Sequence, residues 1–167
     1  MADLLRYGVL SDTHGRISPH VFQIFEGVQR IYHCGDIGSR AIALELEAVA
    51  PLHAVTGNMD SWELVHLFPE NRVEKAEFGT VVLSHGTHYS HSNSRIAHGL
   101  LTQFADENPR LILFGHSHAP YLEEIAGTLV LNPGSASLPH SDNPGTVALV
   151  EYDPASGKLS ARHVTLP

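Results

Sequence analysis

The stretch LILFGHSH (residues 111–118) decides how this chain is read. Four consecutive apolar residues predict a strand covered on both faces, since a strand with one wet face would alternate polar and apolar positions. The run then breaks at Gly115 and continues as two histidines one residue apart. On an extended chain, positions i and i+2 point the same way, so His116 and His118 are expected to share a face. By itself His-x-His admits a metal site and a hydrogen-bonded surface pair about equally.

Working outward, short apolar runs alternate with amphipathic stretches. LRYGVLSD predicts a first strand running to Asp12, and PHVFQIFEGV (19–28) a helix with Ser18 as its cap. RIYHCGD (30–36) predicts a second strand, SRAIALELEAVA (39–50) a helix opened by Ser39, and LHAVTGN (52–58) a third strand. This β-α-β-α-β rhythm argues for parallel strands with crossover helices. Beyond it, RVEKAEFGTVVLSHG (72–86) reads as a hairpin joined at Gly79, 87–93 as a polar loop, and SRIAHGLLTQFADEN (94–108) as a helix. The remainder is strand-rich, and the second half is expected to be mostly antiparallel. The prediction is one mixed α/β domain over residues 1–167, with two packed sheets and helices outside.

Composition bounds the chemistry. The chain has 167 residues, a formal net charge of −8 and only 10 Lys plus Arg, with no basic run. A protein that tracks along nucleic acid needs a positive footprint, so an extended nucleic-acid surface is not expected. Small phosphorylated ligands are compatible if bound cations supply the positive charge. No stretch approaches the ~20 apolar residues of a membrane span. MADLLRYGVL lacks the marks of a signal peptide, and the lone Cys34 reads as a small core residue, so a cytoplasmic location is expected.

The ends of the apolar runs carry one kind of side chain. The first delivers Asp12 and His14 (SDTHG), the second Asp36 (CGD), the third Asn58 (TGNMD), the hairpin His85 (LSHG), and the opening stretch His116 and His118. Each fragment alone reads as an ordinary turn. Together they place metal-competent groups where open α/β sheets bind ligands, outside the carboxyl ends of the strands. Four imidazoles, two carboxylates and one amide exceed what one ion takes from protein while keeping open positions. Two ions sharing a carboxylate fit better. Paired ions in hydrolases sit ~3.5–4 Å apart, and i,i+2 residues on a strand ~6.5 Å apart, so neighbouring histidines can serve different ions.

The blocks D-x-H, GD, GN-x-D, HG and GH-x-H, in this order, resemble the signature of the calcineurin-like metallophosphoesterases. The likeness is closest to their small phosphodiesterase branch, whose fold the retromer subunit shares. NPGSASLPH (132–140) is similar to that family's Asn-Pro-Gly-Ser segment. The resemblance implies a four-layer α/β/β/α sandwich. It implies Asp12, His14, Asp36 and His118 on one divalent ion and Asp36, Asn58, His85 and His116 on a second, with Asp36 bridging. Manganese is the expected metal, and iron, zinc or nickel also suit mixed nitrogen and oxygen ligands. It further implies phosphodiester hydrolysis by a metal-bridging hydroxide, with Asp36 and Asn58 as catalytic residues and Asn58 also touching substrate.

Two departures stand out. Larger relatives carry histidine after Gly-Asn, placed to protonate the leaving group; here the residue is Met59. A general acid contributes ~10²–10⁴-fold, so rates are expected to depend steeply on leaving-group acidity unless His88 or His91 substitutes. His140 stands where the family often has arginine, which puts a phosphate contact there in doubt. The rival reading is a metal-binding scaffold like the retromer subunit. Against it, all seven positions retain metal-competent side chains.

Overall fold

The computed structural model describes residues 3–137 and 144–167, so the position of His140 lies outside the described residues. Among the described residues, ten strands form two five-stranded sheets. In the first, β1 (Leu5–Leu10), β2 (Arg30–His33) and β3 (Leu52–Ala54) are parallel neighbours, and β9 (Thr146–Asp153) and β10 (Lys158–Thr165) continue the sheet antiparallel from β1. In the second, the order is β4 (Asn71–Ala76), β5 (Gly79–Ser84), β6 (Leu111–Leu113), β8 (Thr128–Asn132) and β7 (Tyr121–Ile125). The predicted hairpin is β4–β5, paired antiparallel with Ala76 opposite Gly79.

The chemistry of the strands sets the layers. Tyr7, Val9 and Tyr32 of the first sheet meet Val81, Leu83, Leu111 and Leu113 of the second in one buried cluster, so the sheets pack face to face. Intervening residues point outward. Leu10 and Ile31 meet Val21 of α1 (His20–Ile24), Ile42 and Leu46 of α2 (Arg40–Glu47) and Leu64 of α3 (Trp62–Leu67). On the other side, Val82 and Ile112 meet Ile96, Ala97 and Leu100 of α4 (Asn93–Gln103). Helices therefore cover both outer faces, giving the predicted α/β/β/α order. The continuous apolar run 111–114 is explained: Leu111 and Leu113 enter the inter-sheet core while Ile112 and Phe114 pack under α4.

Several expectations need correction. The second half is mostly antiparallel, with a parallel exception at the centre of the second sheet, where β5, β6 and β8 run parallel. Helix α1 covers five residues where ten were predicted; Pro19 takes the capping position, and the Ser18 hydroxyl accepts only from His20 N–H at 3.3 Å. Ser39 does cap α2, accepting from Ala41 N–H at 3.1 Å. Helix α4 ends at Gln103, followed by a 3₁₀ turn over Ala105–Glu107. The polar loop contains a 3₁₀ turn at Thr87–Tyr89. Helix α3 goes unassigned in the sequence reading, because six residues hold too little periodicity to declare themselves.

Candidate metal centre

All seven predicted residues gather where the loops after β1, β2, β3, β5 and β6 meet. Two carboxylates form its floor, and each divides its oxygens between two tasks. Asp12 Oδ2 accepts from Ser11 Oγ at 2.7 Å and from His116 N–H at 3.2 Å. Its Oδ1 faces three imidazole nitrogens: His118 Nε2 at 3.2 Å, and His14 Nε2 and His85 Nε2 at 3.8 Å each. Asp36 Oδ1 accepts from Met59 N–H at 2.9 Å, while Oδ2 lies 3.2 Å from His85 Nε2 and 3.9 Å from His14 Nε2. One oxygen of each carboxylate is thus tied to the scaffold and the other is offered to the cluster.

Asp12, His14 and His118 form one group with ligand-atom spacing suited to a cation, and Asp12, Asp36 and His85 a second. Asp12 is common to both. Asp36 Oδ2 lies between His14 and His85, the two imidazoles that the family resemblance assigns to different ions. His116 lies against His85, with ring centroids 5.1 Å apart. Asn58 joins His14, Asp36, Met59, His91, His116 and His118 around a cavity of about 330 Å³. Of the two histidines named as substitute acids, His91 lines this cavity and stacks on His116 at 4.3 Å, whereas His88 pairs with Glu70 at 2.6 Å in the adjoining cavity.

The backbone is bent to serve the side chains. Five of the seven residues take left-handed conformations: Asp12 (φ 55°), His14 (48°), Asp36 (54°), His116 (70°) and His118 (62°). Such a conformation costs an L-residue roughly 1–2 kcal/mol, and it persists only where the surroundings over-determine it, as at functional sites. This corrects the reading of His116 and His118 as neighbours on an extended strand. Strand β6 ends at Leu113, and the two rings diverge: His116 toward His85 and His91, His118 toward His14 with Nε2 atoms 3.3 Å apart. They reach separate partners through left-handed turns rather than through the pleat.

The loops brace one another. Asp12 N–H donates to Gly35 O and His14 N–H to Asp36 O, both at 3.0 Å, and Gly115 N–H donates to His85 O at 3.2 Å. The glycines beside the ligands are there for clearance: a Cβ on Gly57 would overlap Asp36 Oδ1, and one on Gly115 would overlap Ser11 Oγ. The Asn-Pro-Gly-Ser segment is a brace as well. Asn132 Nδ2 donates to Gly115 O at 3.0 Å, and Ser135 Oγ to Asp12 O at 2.9 Å.

Two supporting residues escape the sequence reading. Asp60, the last residue of GNMD, accepts from Gly57 N–H and Gly38 N–H at 2.9 Å each and ties the Asn58 loop to the Asp36 loop. His33 is wholly buried between the first two loops. Its Nδ1 accepts from Gly35 N–H at 3.2 Å, and its Nε2 lies 3.0 Å from Thr13 Oγ1, which donates to Ile37 O at 2.8 Å. The only consistent assignment is neutral His33 with its proton on Nε2. Asp60 had its motif as a signal; His33, inside an apolar run, had none.

The electrostatics suit a cation. Burial by itself lowers the His85 pKa, but the carboxylates of Asp36 and Asp12 outweigh it and hold the ring above its ordinary value. His118 is raised by the Asp12 carboxylate beside it. His116, facing His85 and His91, is lowered by burial and by those rings. Burial would raise Asp36, yet His85 and the Met59 N–H keep it below the usual carboxylate range. His85 Nδ1 donates to Cys34 O at 2.8 Å, which leaves the Nε2 lone pair free, the arrangement in which imidazole binds metal. Among the described residues, two buried side-chain polar atoms lack any hydrogen-bond partner, and they are Asp12 Oδ1 and His85 Nε2. An unpaired buried carboxylate oxygen costs several kcal/mol, and a cation between these atoms would remove that cost.

Residues 5–155 match the calcineurin-like phosphoesterase superfamily domain. The chain belongs to that superfamily. It is 33% identical over 147 residues to a probable metallophosphoesterase of Methanothermobacter thermautotrophicus, covering 85% of this chain and 83% of that protein. A phosphodiesterase of Methanocaldococcus jannaschii is 28% identical over 150 residues, covering 78% of this chain and 83% of the relative. In fold, the chain is similar to Vps29 of Entamoeba histolytica complexed with zinc, with a TM-score of 0.72, 22% identity and coverage of 96% and 99%. A calcineurin-like member is thus laid out as the sequence motifs implied, with the motif residues on the loops at one end of both sheets.

Proposed function

We propose that this metal-dependent phosphoesterase holds two divalent cations and hydrolyses phosphodiesters. The observation that carries the reading is the pair of orphaned buried atoms, Asp12 Oδ1 and His85 Nε2, 3.8 Å apart and each without a hydrogen-bond partner. An unpaired buried carboxylate oxygen beside an unpaired imidazole lone pair is costly in a protein-only site, and a cation between them would offset that cost. Asp12, His14, Asp36 and His118 would hold one cation, and Asp36, Asn58, His85 and His116 the other. Manganese is the preferred ion. When bound, such a pair supplies an activated water and neutralises phosphate charge.

The chain's own groups do the rest. The Asp12 and Asp36 carboxylates set the charge of the floor, and their anchored oxygens fix its geometry. His85, locked through Cys34 O, presents one lone pair in one direction. Asn58, on the cavity wall, is placed to steady a phosphate oxygen. Met59 is 67% exposed at the same wall and has no proton to give a leaving alkoxide. Substrates with acidic leaving groups are therefore favoured, and a diester is favoured over a monoester.

A metal-loaded scaffold without turnover is the second reading, and the likeness to Vps29 favours it. Because that Vps29 is itself complexed with zinc, metal content alone does not separate the two readings. Turnover does. Manganese-loaded protein is expected to hydrolyse a series of aryl phosphodiesters with rates that climb steeply with leaving-group acidity. Loaded protein that cleaves neither diesters nor monoesters establishes the scaffold, and a flat dependence shows that another group has replaced the missing acid.

A further inference from the structure

A second cavity of about 330 Å³ adjoins the metal centre, and Asn58 lines both. Its other walls include the Gly57 backbone, Val65, Thr87 and the Glu70–His88 pair. The two cavities differ in what they offer. The first is crowded with imidazole and carboxylate. The second presents the methyl groups of Val65, which is 52% exposed on α3, a threonine and the hydrogen-bonded pair of Glu70 and His88, 2.6 Å apart. No Lys or Arg is among the described residues that line it, and Glu70 puts a carboxylate at its edge.

We infer that this second cavity receives the organic substituent of the phosphodiester, and that the substituent it accepts is uncharged and planar or apolar, such as an aryl or heteroaryl group. The inference rests on the phosphodiesterase reading and adds the chemical class of substrate. A phosphodiester seated with its phosphorus over the Asp12–Asp36 floor must direct one of its two ester groups away from the metals. The cavity beyond Asn58 shares a wall with that seat. An anionic substituent, such as a further phosphate, would meet Glu70 with no fixed cation to balance it. A neutral ring finds the Val65 methyls and loses little hydration in leaving water. The cavity takes the ester group that is not displaced; a phosphomonoester carries only its leaving group and has no second ester group to place there, so the cavity favours diesters by binding one more group rather than by repelling the smaller substrate.

The test uses manganese-loaded full-length protein with bis(p-nitrophenyl) phosphate and p-nitrophenyl phosphate. Val65→Trp, at an exposed position where bulk does not disturb the core, fills the cavity. The ratio of kcat/KM for diester over monoester is expected to fall about tenfold or more, chiefly through a higher KM for the diester. Leu44→Trp, in a different groove between α2 and α3, should leave that ratio unchanged. Glu70→Lys should raise the relative rate on an aryl diester whose second group carries a carboxylate by about fivefold or more. If Val65→Trp shifts both substrates equally, or neither, the subsite is refuted while the phosphodiesterase reading stands. If loaded wild-type protein turns over neither substrate, the phosphodiesterase reading falls and takes the subsite with it.

Discussion

Two clusters of ionisable side chains lie in this fold, and they are built on opposite principles. Glu74 of β4, half hidden at the sheet edge, faces His53 at 2.7 Å, Arg72 at 3.5 Å and Arg30 at 3.7 Å, and Arg30 also donates to Tyr32 Oη at 3.0 Å. Every charge there has a partner in the protein. The strand backbone is regular, and burial pushes the Tyr32 phenol up to about 12, which keeps it a neutral member of the network. The cluster around Asp12 and Asp36 is the reverse. Its backbone is strained at five positions, and a buried carboxylate oxygen and an imidazole nitrogen are left without partners. The first arrangement ties strands together; the second waits for a ligand. The contrast shows why counting charged residues does not find a site: the informative feature is the charge the protein declines to satisfy.

Substitution should separate the two clusters. Asp36→Asn is expected to lower kcat/KM at least ~100-fold, since loss of supporting partners alone costs metal sites 10–100-fold and the proposed function makes Asp36 a direct ligand. Metal-free Asp36→Asn should also lose some stability at neutral pH, because a carboxylate held below its ordinary range by His85 and the Met59 N–H favours the folded state. Glu74→Gln should instead act on stability alone, costing about 1–2 kcal/mol in urea unfolding while kcat/KM stays within about twofold. If Glu74→Gln cuts activity as deeply as Asp36→Asn, the two clusters are not distinct.

A smaller effect sharpens the same comparison. Burial pushes the His33 pKa down to about 3, from an ordinary 6.5. The unfolded chain therefore takes up a proton below pH 6.5 that native His33 refuses. This contribution to stability is full above pH 6.5 and is lost as pH falls toward 3, at up to about 1.4 kcal/mol per pH unit. His85 and His118, raised in the metal-free protein, have the opposite sign: their contribution is full below 6.5 and fades as pH rises past their native values. Comparing metal-free wild type with His33→Gln cancels those two. Wild-type stability should fall more steeply between pH 6.5 and 5 than that of His33→Gln; equal slopes would mean that His33 is not the buried neutral ring its bonds require.

Much of this was legible in the sequence for identifiable reasons. The strands β1, β2, β5 and β6 are buried on both faces, so they appear as unbroken apolar runs, and the metal-competent residues directly follow them. The seven candidates share a location because strand ends are countable in one dimension. What the sequence could not convey was conformation. Nothing in GHSH says that both histidines are left-handed, and the extended-strand argument put on one face two rings that turn to different partners. Partner choice was equally hidden: β9 and β10 return to the first sheet, and β8 pairs parallel with β6, because pairing depends on which edges are free rather than on local pattern. His33 stayed unseen because a buried scaffold histidine and a core aromatic look alike in an apolar run.

Anomalous diffraction from crystals grown with manganese tests the central claim most directly. The account predicts two peaks roughly 4 Å apart, both within ligand distance of the Asp12–Asp36 floor, one beside His14 and His118 and the other beside His85 and His116. A single peak, or peaks away from those side chains, would contradict it.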